Sequence, residues 1–221
     1  MAMRSKVNLK CPKCSQNIEI EQWSAINGDK NPGQKLKLLE GTLFESKCKS
    51  CGSPVTVGYP LVYHDTKQNY MIWLVYDEQE VKHIIQYFKK SKSEDADDEI
   101  EPVDHACRQR VVRSPDSLRE KIMIFDSDLD DKIIEIMKLA YAKEVQRTLR
   151  GDDVAAAFFS HRDGTKRIEI YTEKGKAFVS PVSSDLYKQL DDKYGGRASY
   201  AEDRVYQIDD VWALNLLRSM R

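Results

Sequence analysis

Apolar positions change their period several times along the chain, and each change marks an element. Ile18 and Ile20 alternate with Glu19 and Glu21, the two-residue period of a strand with one covered face. Asn31-Pro32 followed by Leu36, Leu38, Leu39 and Gly41 predicts a short helix, with Asn31 as cap, Pro32 in the first turn and Gly41 as the stop. Residues 54–59 read as a strand. Residues 61–63 and 70–76 read as a hairpin turned at Thr66-Lys67-Gln68-Asn69. The period then becomes helical over 78–90, where Val81, Ile84, Ile85 and Phe88 share a face.

In the second half, Val111-Val112 is a short strand-like patch. Ser117-Leu118-Arg119-Glu120 has the capping-box pattern, in which Ser117 and Glu120 satisfy each other's free amides; the helix it opens turns Leu118, Ile122 and Phe125 inward. A second helix follows Asp128, Asp130 and Asp131, whose charge suits the positive end of the helix dipole. It carries Leu129, Ile133, Ile136, Met137, Ala140 and Val145, and Gly151 ends it. Residues 154–159 and 168–171 form two strands about a tight Asp163-Gly164 turn. A third strand, 177–179, follows Gly175 and is stopped by Pro181. A helix with Leu186, Leu190 and Tyr194 runs to Gly195-Gly196, and a last helix carries Val211, Leu214 and Leu217.

Composition narrows the class. The chain has 221 residues, 41% hydrophobic and 32% charged, which is the balance of a folded chain with a real core. Lys+Arg at 35 and Asp+Glu at 36 leave a net charge of −1, so a global polycation is excluded. The total averages unlike parts. Residues 1–60 carry nine Lys/Arg against five Asp/Glu, whereas 91–104 holds one lysine against seven acids. That acidic run reads as a solvated loop; its functional rival is a docking peptide for a basic partner. The longest apolar run, 71–76, is far below the roughly 20 residues of a membrane span, and no apolar signal segment follows the N-terminal charges. No membrane partner and a reducing cytoplasmic location are the expectations.

In such a compartment, closely spaced cysteines more often bind metal or do redox work than form disulfides. Cys11-Pro12-Lys13-Cys14 and Cys48-Lys49-Ser50-Cys51-Gly52 are two Cys-x-x-Cys pairs with 33 residues between them. Two intervening residues let a tight turn present both thiolates to one ion, and Gly52 suits the left-handed backbone such a turn often needs. Cys11, Cys14, Cys48 and Cys51 are therefore the expected ligands of one structural zinc ion per chain, a closed tetrahedron with no place for substrate. The gap is longer than in a simple zinc ribbon, and the helix near 32–40 accounts for the excess. The rival reading is thiol redox chemistry, since Cys-Pro-x-Cys also occurs at redox-active helix starts; here the residues after Cys14 alternate as a strand.

Other candidates carry less. His105-Ala106-Cys107 is a spacing common by chance, and Cys107 reads as an ordinary thiol. His64, His83 and His161 fall in three different elements. No phosphate loop, nucleophile elbow or zinc-protease motif is present, so no catalytic residue is assigned. Trp23, Phe44 and Tyr59 in the basic segment fit a small core beside the metal or, alternatively, a nucleic-acid face. Lys13, Lys47 and Lys49 flank the thiolates and offset their charge.

Around these motifs lie Trp23-Ser24-Ala25-Ile26-Asn27, Lys37-Leu38-Leu39-Glu40-Gly41-Thr42-Leu43-Phe44 and Tyr59-Pro60-Leu61-Val62-Tyr63-His64-Asp65. Further on come Val112-Arg113-Ser114, Leu118-Arg119-Glu120-Lys121-Ile122, Phe125-Asp126 and Leu129-Asp130-Asp131. Over roughly residues 9–140 this set resembles the CpXC family, defined by two Cys-Pro-x-Cys motifs. The second motif here lacks the proline, which stiffens the turn but supplies no ligand. The resemblance implies a zinc-ribbon-like N-terminal half in a prokaryotic cytoplasmic protein, and it supplies no activity. It also implies that the helices at 117–149 pack on the metal region, with 91–104 inserted.

The expected fold is therefore α+β. A zinc-ribbon-like β region with helices packed on it spans 1–150, and a small α+β unit with an antiparallel hairpin or meander spans 151–221. The expected function is a non-enzymatic adaptor or regulator acting through a protein partner. The alternatives are a nucleic-acid-binding regulator and an enzyme whose site the sequence does not display. Oligomeric state is left open.

Overall fold

The computed structural model describes residues 3–91, 107–196 and 207–220. Apart from Ser91, the acidic run at 91–104 lies outside the described residues, as does His105. The chain divides into two compact units, Met1–Arg119 and Glu120–Arg221. By this division the helix that follows Asp130 groups with the C-terminal meander.

In the first unit, β1 (Met3–Lys10) and β2 (Asn17–Asn27) form a long antiparallel hairpin. β1 has no counterpart in the sequence reading. Four of its first residues are exposed, and only Val7 and Leu9 reach a core. Its place beside β2 is set by the ladder itself, with minor help from exposed, solvent-screened cross-strand pairs such as Lys6–Glu19 at 2.7 Å. β2 serves two neighbours. Ile18 and Ile20 cover the cysteine region, and Ala25–Asn27 run parallel to β5.

α1 (Pro32–Glu40) starts at its proline and ends where Gly41 turns left-handed at φ 78°. Asn31 occupies the cap position but does not cap: its Oδ1 accepts from the Asn27 amide instead. β3 (Glu45–Lys47) and β4 (Pro54–Thr56) make a separate two-stranded ribbon, so the expected strand at 54–59 is cut to three residues. β5 (Leu61–Asp65) and β6 (Tyr70–Leu74) form the expected hairpin, with Asn69 at φ 54° in the turn. β7 (Arg108–Val112) adds parallel to β6. The sheet order is β1-β2-β5-β6-β7. Its two parallel junctions require crossovers. The first consists of α1 and the ribbon, and the second begins with α2 (Glu78–Ser91). Leu61, Tyr63, Tyr70, Ile72 and Leu74 form the buried face.

α3 (Pro115–Asp126) begins one turn earlier than the capping-box pattern suggests. Ser114 is the cap, its Oγ accepting from the Ser117 amide at 3.1 Å, and Pro115 fills the first helical position. Glu120 is therefore released from capping and lies buried.

In the second unit, α4 (Asp131–Thr148) is capped by Asp130, whose side chain accepts from the Lys132 amide. β8 (Val154–Arg162), β9 (Thr165–Thr172) and β10 (Ala177–Pro181) form an antiparallel meander. Asp163 and Gly164 both have positive φ, 51° and 69°, as a two-residue hairpin turn of the type I′ kind needs. α4 packs on β8 and β9, whose Phe159, Ile168 and Ile170 are buried. α5 (Ser184–Leu190) passes into a π-helical turn, Asp191–Gly195. α6 (Asp210–Ser219) turns Trp212 and Ala213 inward beside Ile136 and Ile208, with Leu216 and Leu217 flanking. The expected face is thus rotated: Val211 and Leu214 are exposed and Leu217 alone contributes. No described helix is long and apolar enough to cross a membrane.

Candidate metal centre

Two hairpins end in the same local structure. Cys11–Cys14 fills the turn between β1 and β2, and Cys48–Cys51 fills the turn between β3 and β4. In the first, the Cys11 amide donates to the Gln16 carbonyl and the Ser15 amide to the Cys11 carbonyl, both at 2.9 Å. In the second, the Cys48 amide donates to the Ser53 carbonyl at 2.9 Å and the Gly52 amide to the Cys48 carbonyl at 2.8 Å. The residue after each second cysteine is left-handed, Gly52 at φ 68° as the sequence indicates and Ser15 at φ 59°. The two turns are near-duplicates, and each presents its sulfurs on one side.

The four sulfurs face one another. Cys11 Sγ lies 3.8 Å from Cys51 Sγ, Cys14 Sγ lies 3.7 Å from Cys48 Sγ, and all four fall within 4.8 Å. A tetrahedral ion with metal–sulfur bonds of about 2.3 Å would set sulfur pairs about 3.8 Å apart. The donor set therefore fits a metal ion in both chemistry and spacing. Cys11 and Cys48 are buried among Ile18, Ile20 and Val55, whereas Cys51 is exposed.

The thiols are poised unequally. The Ser53 hydroxyl, followed by the Ser53 amide, pulls Cys51 down to about 6 against the effect of burial. The amides of Cys51 and then Ser50 lower Cys48. At Cys14 the Gln16 amide favours the thiolate, yet burial and the three facing sulfurs outweigh it and push the thiol up to about 12. Four anions cannot share this space unaided. A cation at its centre removes the conflict by lowering every thiol together.

Among the described residues this is the one group of three or more metal-capable side chains that converges. The remaining histidines stay apart. His64 lies on β5, with its imidazolium disfavoured by burial, His83 is on α2, and His161 Nδ1 sits 3.1 Å from Ser127 Oγ. Cys107 is buried at the start of β7, its Sγ 3.8 Å from the Arg108 carbonyl. Trp23, Phe44 and Tyr59 are at most 8% exposed, so they fill the core and offer no stacking face.

Sequence reasoning missed a second cluster, in the second unit. Lys121 Nζ lies 3.0 Å from both Asp131 Oδ2 and Glu135 Oε1, and Lys138 Nζ lies 2.9 Å from both Glu120 Oε1 and Glu135 Oε2. The Phe159 amide also donates to Glu120, at 2.6 Å. All five side chains are at most 7% exposed. Burial pushes Glu120 up more than Lys138 pulls it down, while the acids hold both lysines charged against the same burial.

A model of the CpXC protein family matches residues 9–138, a span that includes all four converging cysteines. No curated protein and no solved structure matches the chain.

Proposed function

The chain belongs to the CpXC proteins, and from that premise we propose that it is a zinc-stapled, non-enzymatic adaptor or regulator acting through protein contacts. The observation that carries the zinc is the convergence of four sulfurs, all within 4.8 Å and two pairs at 3.7 and 3.8 Å, on paired, near-identical turns. A four-thiolate set is soft and suits zinc, and its closure leaves no position for a substrate or an activated water. The role is thus structural. The ion ties the β1–β2 hairpin to the β3–β4 ribbon, two elements that share only a small core of Ile18, Ile20, Val55 and their neighbours. Structural zinc binding in small modules is worth about 10–16 kcal/mol at neutral pH, ample to fix such a region.

Purified protein should contain one zinc per chain. Cys11→Ser/Cys48→Ser should lose the metal and the ordered ribbon. Iron in place of zinc, or a metal-free chain with an intact cooperative fold, would overturn the assignment. For the adaptor reading, crosslinking in the native host should give a defined protein partner that the double variant no longer captures. Salt-dependent retention of DNA or RNA near physiological ionic strength would instead favour a nucleic-acid role.

A further inference from the structure

β1 is the last strand of its sheet, and among the described residues no strand pairs with its outer edge. It runs for 8 residues without proline, and its one irregularity lies at its start, between Met3 and Arg4. The Cys11 amide donates to the Gln16 carbonyl, and in an antiparallel ladder bonded pairs recur at every second residue. Leu9, Val7 and Ser5 therefore turn their amides and carbonyls towards β2. Those of Lys10, Asn8, Lys6 and Arg4 point away, where a further strand would bond them. Such an edge is a template for strand addition unless the chain guards it.

The side chains say which strand it admits. Strand alternation puts Arg4, Lys6, Asn8 and Lys10 on one face, all exposed, and Val7 and Leu9 on the other, half-buried beside Ile18 and Ile20. A second copy of the chain fits badly. Antiparallel pairing about Asn8 would set Lys6 against Lys10, pairing about Val7 would set Arg4 against Lys10, and pairing about Lys6 would set Lys6 against itself. Like charges directly opposite destabilise a strand pair, so these cations guard the edge against the chain's own copies. The same cations favour a strand of opposite sign. Arg4 and Lys6 already hold Glu21 and Glu19 on β2, so an added acidic strand would place each cation between two acids. We propose that β1 is a docking edge for an extended segment of a partner protein in which acidic residues alternate with apolar ones. The main chains pair, the acids lie beside Arg4, Lys6 and Lys10, and the apolar residues extend the face of Val7 and Leu9. The proposal rests on the adaptor reading and gives it a surface.

The test uses the full metal-loaded chain and a fluorescein-labelled peptide of alternating valine and glutamate, as long as β1, followed by fluorescence anisotropy. Saturable binding with a Kd below about 1 mM is expected for a single added strand. A peptide of alternating valine and lysine should not saturate. Lys6→Gln/Lys10→Gln should weaken binding about 2- to 30-fold, the worth of two exposed ion pairs. Asn8→Pro removes an outward amide that β2 does not use, so it should abolish binding while the metal content holds. Two further probes carry N-methyl groups, one on its glutamate amides and the other on its valine amides. Only one edge of an added strand meets β1, so one of these should bind and the other fail. No saturation by about 1 mM, equal binding of the two methylated peptides, or undiminished binding to Lys6→Gln/Lys10→Gln would overturn the proposal. So would a chain that sediments as a dimer and becomes monomeric as Asn8→Pro, since the edge would then belong to a second copy. A host partner that crosslinks equally well to Asn8→Pro would overturn the docking edge and leave the adaptor reading standing.

Discussion

Lys138→Met removes the ammonium that joins two acids of the buried cluster while keeping most of the side chain's length. Lys138 Nζ lies 2.9 Å from Glu120 Oε1 and 2.9 Å from Glu135 Oε2. The Glu120 contact is a hydrogen bond to a charged group, worth about 1.5–3 kcal/mol, and the Glu135 contact is a buried ion pair of similar order, so together they give about 3–6. The lower half of that range applies. Glu135 keeps Lys121 at 3.0 Å, and Glu120 keeps the Phe159 amide at 2.6 Å. The expected loss is therefore about 3–4 kcal/mol, in line with the cost of breaking other buried ion pairs. Hydrogen exchange across 131–148, read by mass spectrometry, should report it as faster opening of α4. A local probe is needed because two compact units need not unfold as one. Glu120→Gln in the same chain should return about half of the loss, since a neutral amide needs no counter-ion. Burial lowers the pKa of Lys138, but Glu120 and then Glu135 outweigh it and raise the pKa. The contribution is therefore complete below about pH 10.5 and lost only as pH rises through the higher folded value. The part of the deficit that comes from the Lys138 charge should not fade until pH rises past about 10.5. A loss below about 1 kcal/mol, or additive effects of the two substitutions, would refute a coupled network.

Gly28→Ala should destabilise the first unit by about 1–3 kcal/mol, because its Cβ would fall 2.1 Å from Tyr63 Oη; Tyr63→Phe in the same chain should recover part of that in urea titrations. Gly164→Ala meets no neighbouring atom within 4 Å, so its cost, about 1 kcal/mol, comes only from holding φ at 69°, and thermal denaturation of the second unit should show it. Asp152 titrates below the usual aspartate range. Burial opposes its ionisation, but the Thr172 hydroxyl and the amides of Lys174 and Asp153 outweigh it. With a lowered pKa its stabilisation is present above about pH 4 and is lost as pH falls through the folded value, so the carbon-13 titration of its carboxyl should have a midpoint below an ordinary aspartate. Acid should also release the metal, because protons compete for the thiolates. Chelation at neutral pH should open the β3–β4 ribbon before the β5–β6 hairpin, as hydrogen exchange can resolve.

The cysteine turns were legible in the sequence because their chemistry is local, whereas β3 was not. Two residues between cysteines, a glycine after the second pair and a strand period after the first are enough to specify a turn and its ligands. The same locality predicted Gly41 and Asp163-Gly164, where a positive φ is a property of one or two residues. β1 was not legible. Arg4, Ser5 and Lys6 are exposed, and the strand exists because β2 offers it a ladder, a long-range fact. The rotated face of α6 has another cause. Val211, Trp212, Ala213, Leu214, Leu216 and Leu217 crowd ten residues, and a period of 3.6 accommodates more than one inward stripe. Contact with Ile136 and Ile208 selects the Trp212 side. For α3 the local signal was present, and a stronger one overrode it. Ser114-Pro115 is a cap followed by a first-turn proline, and it competes with the Ser117/Glu120 pattern three residues later.

The buried charges show where reading by polarity fails for a physical reason. All eight residues from Asp131 to Lys138 are buried, so this half of α4 is enclosed on every side. A helix enclosed in that way should be apolar all round, yet half of those eight positions are charged. Charge at a single position argues for solvent. Charge that alternates in sign between two helices can argue the opposite, and only the pairing of α3 with α4 reveals it. Lys121 needs Asp131 and Glu135 together, and Lys138 needs Glu120 and Glu135 together. Sliding α4 by one turn along α3 would leave at least one of these ions buried without its partner, at several kcal/mol. A purely apolar interface would pay far less for the same slip, because leucine and isoleucine contacts are interchangeable at that scale. The cluster thus fixes the register of α3 on α4 more sharply than it adds stability.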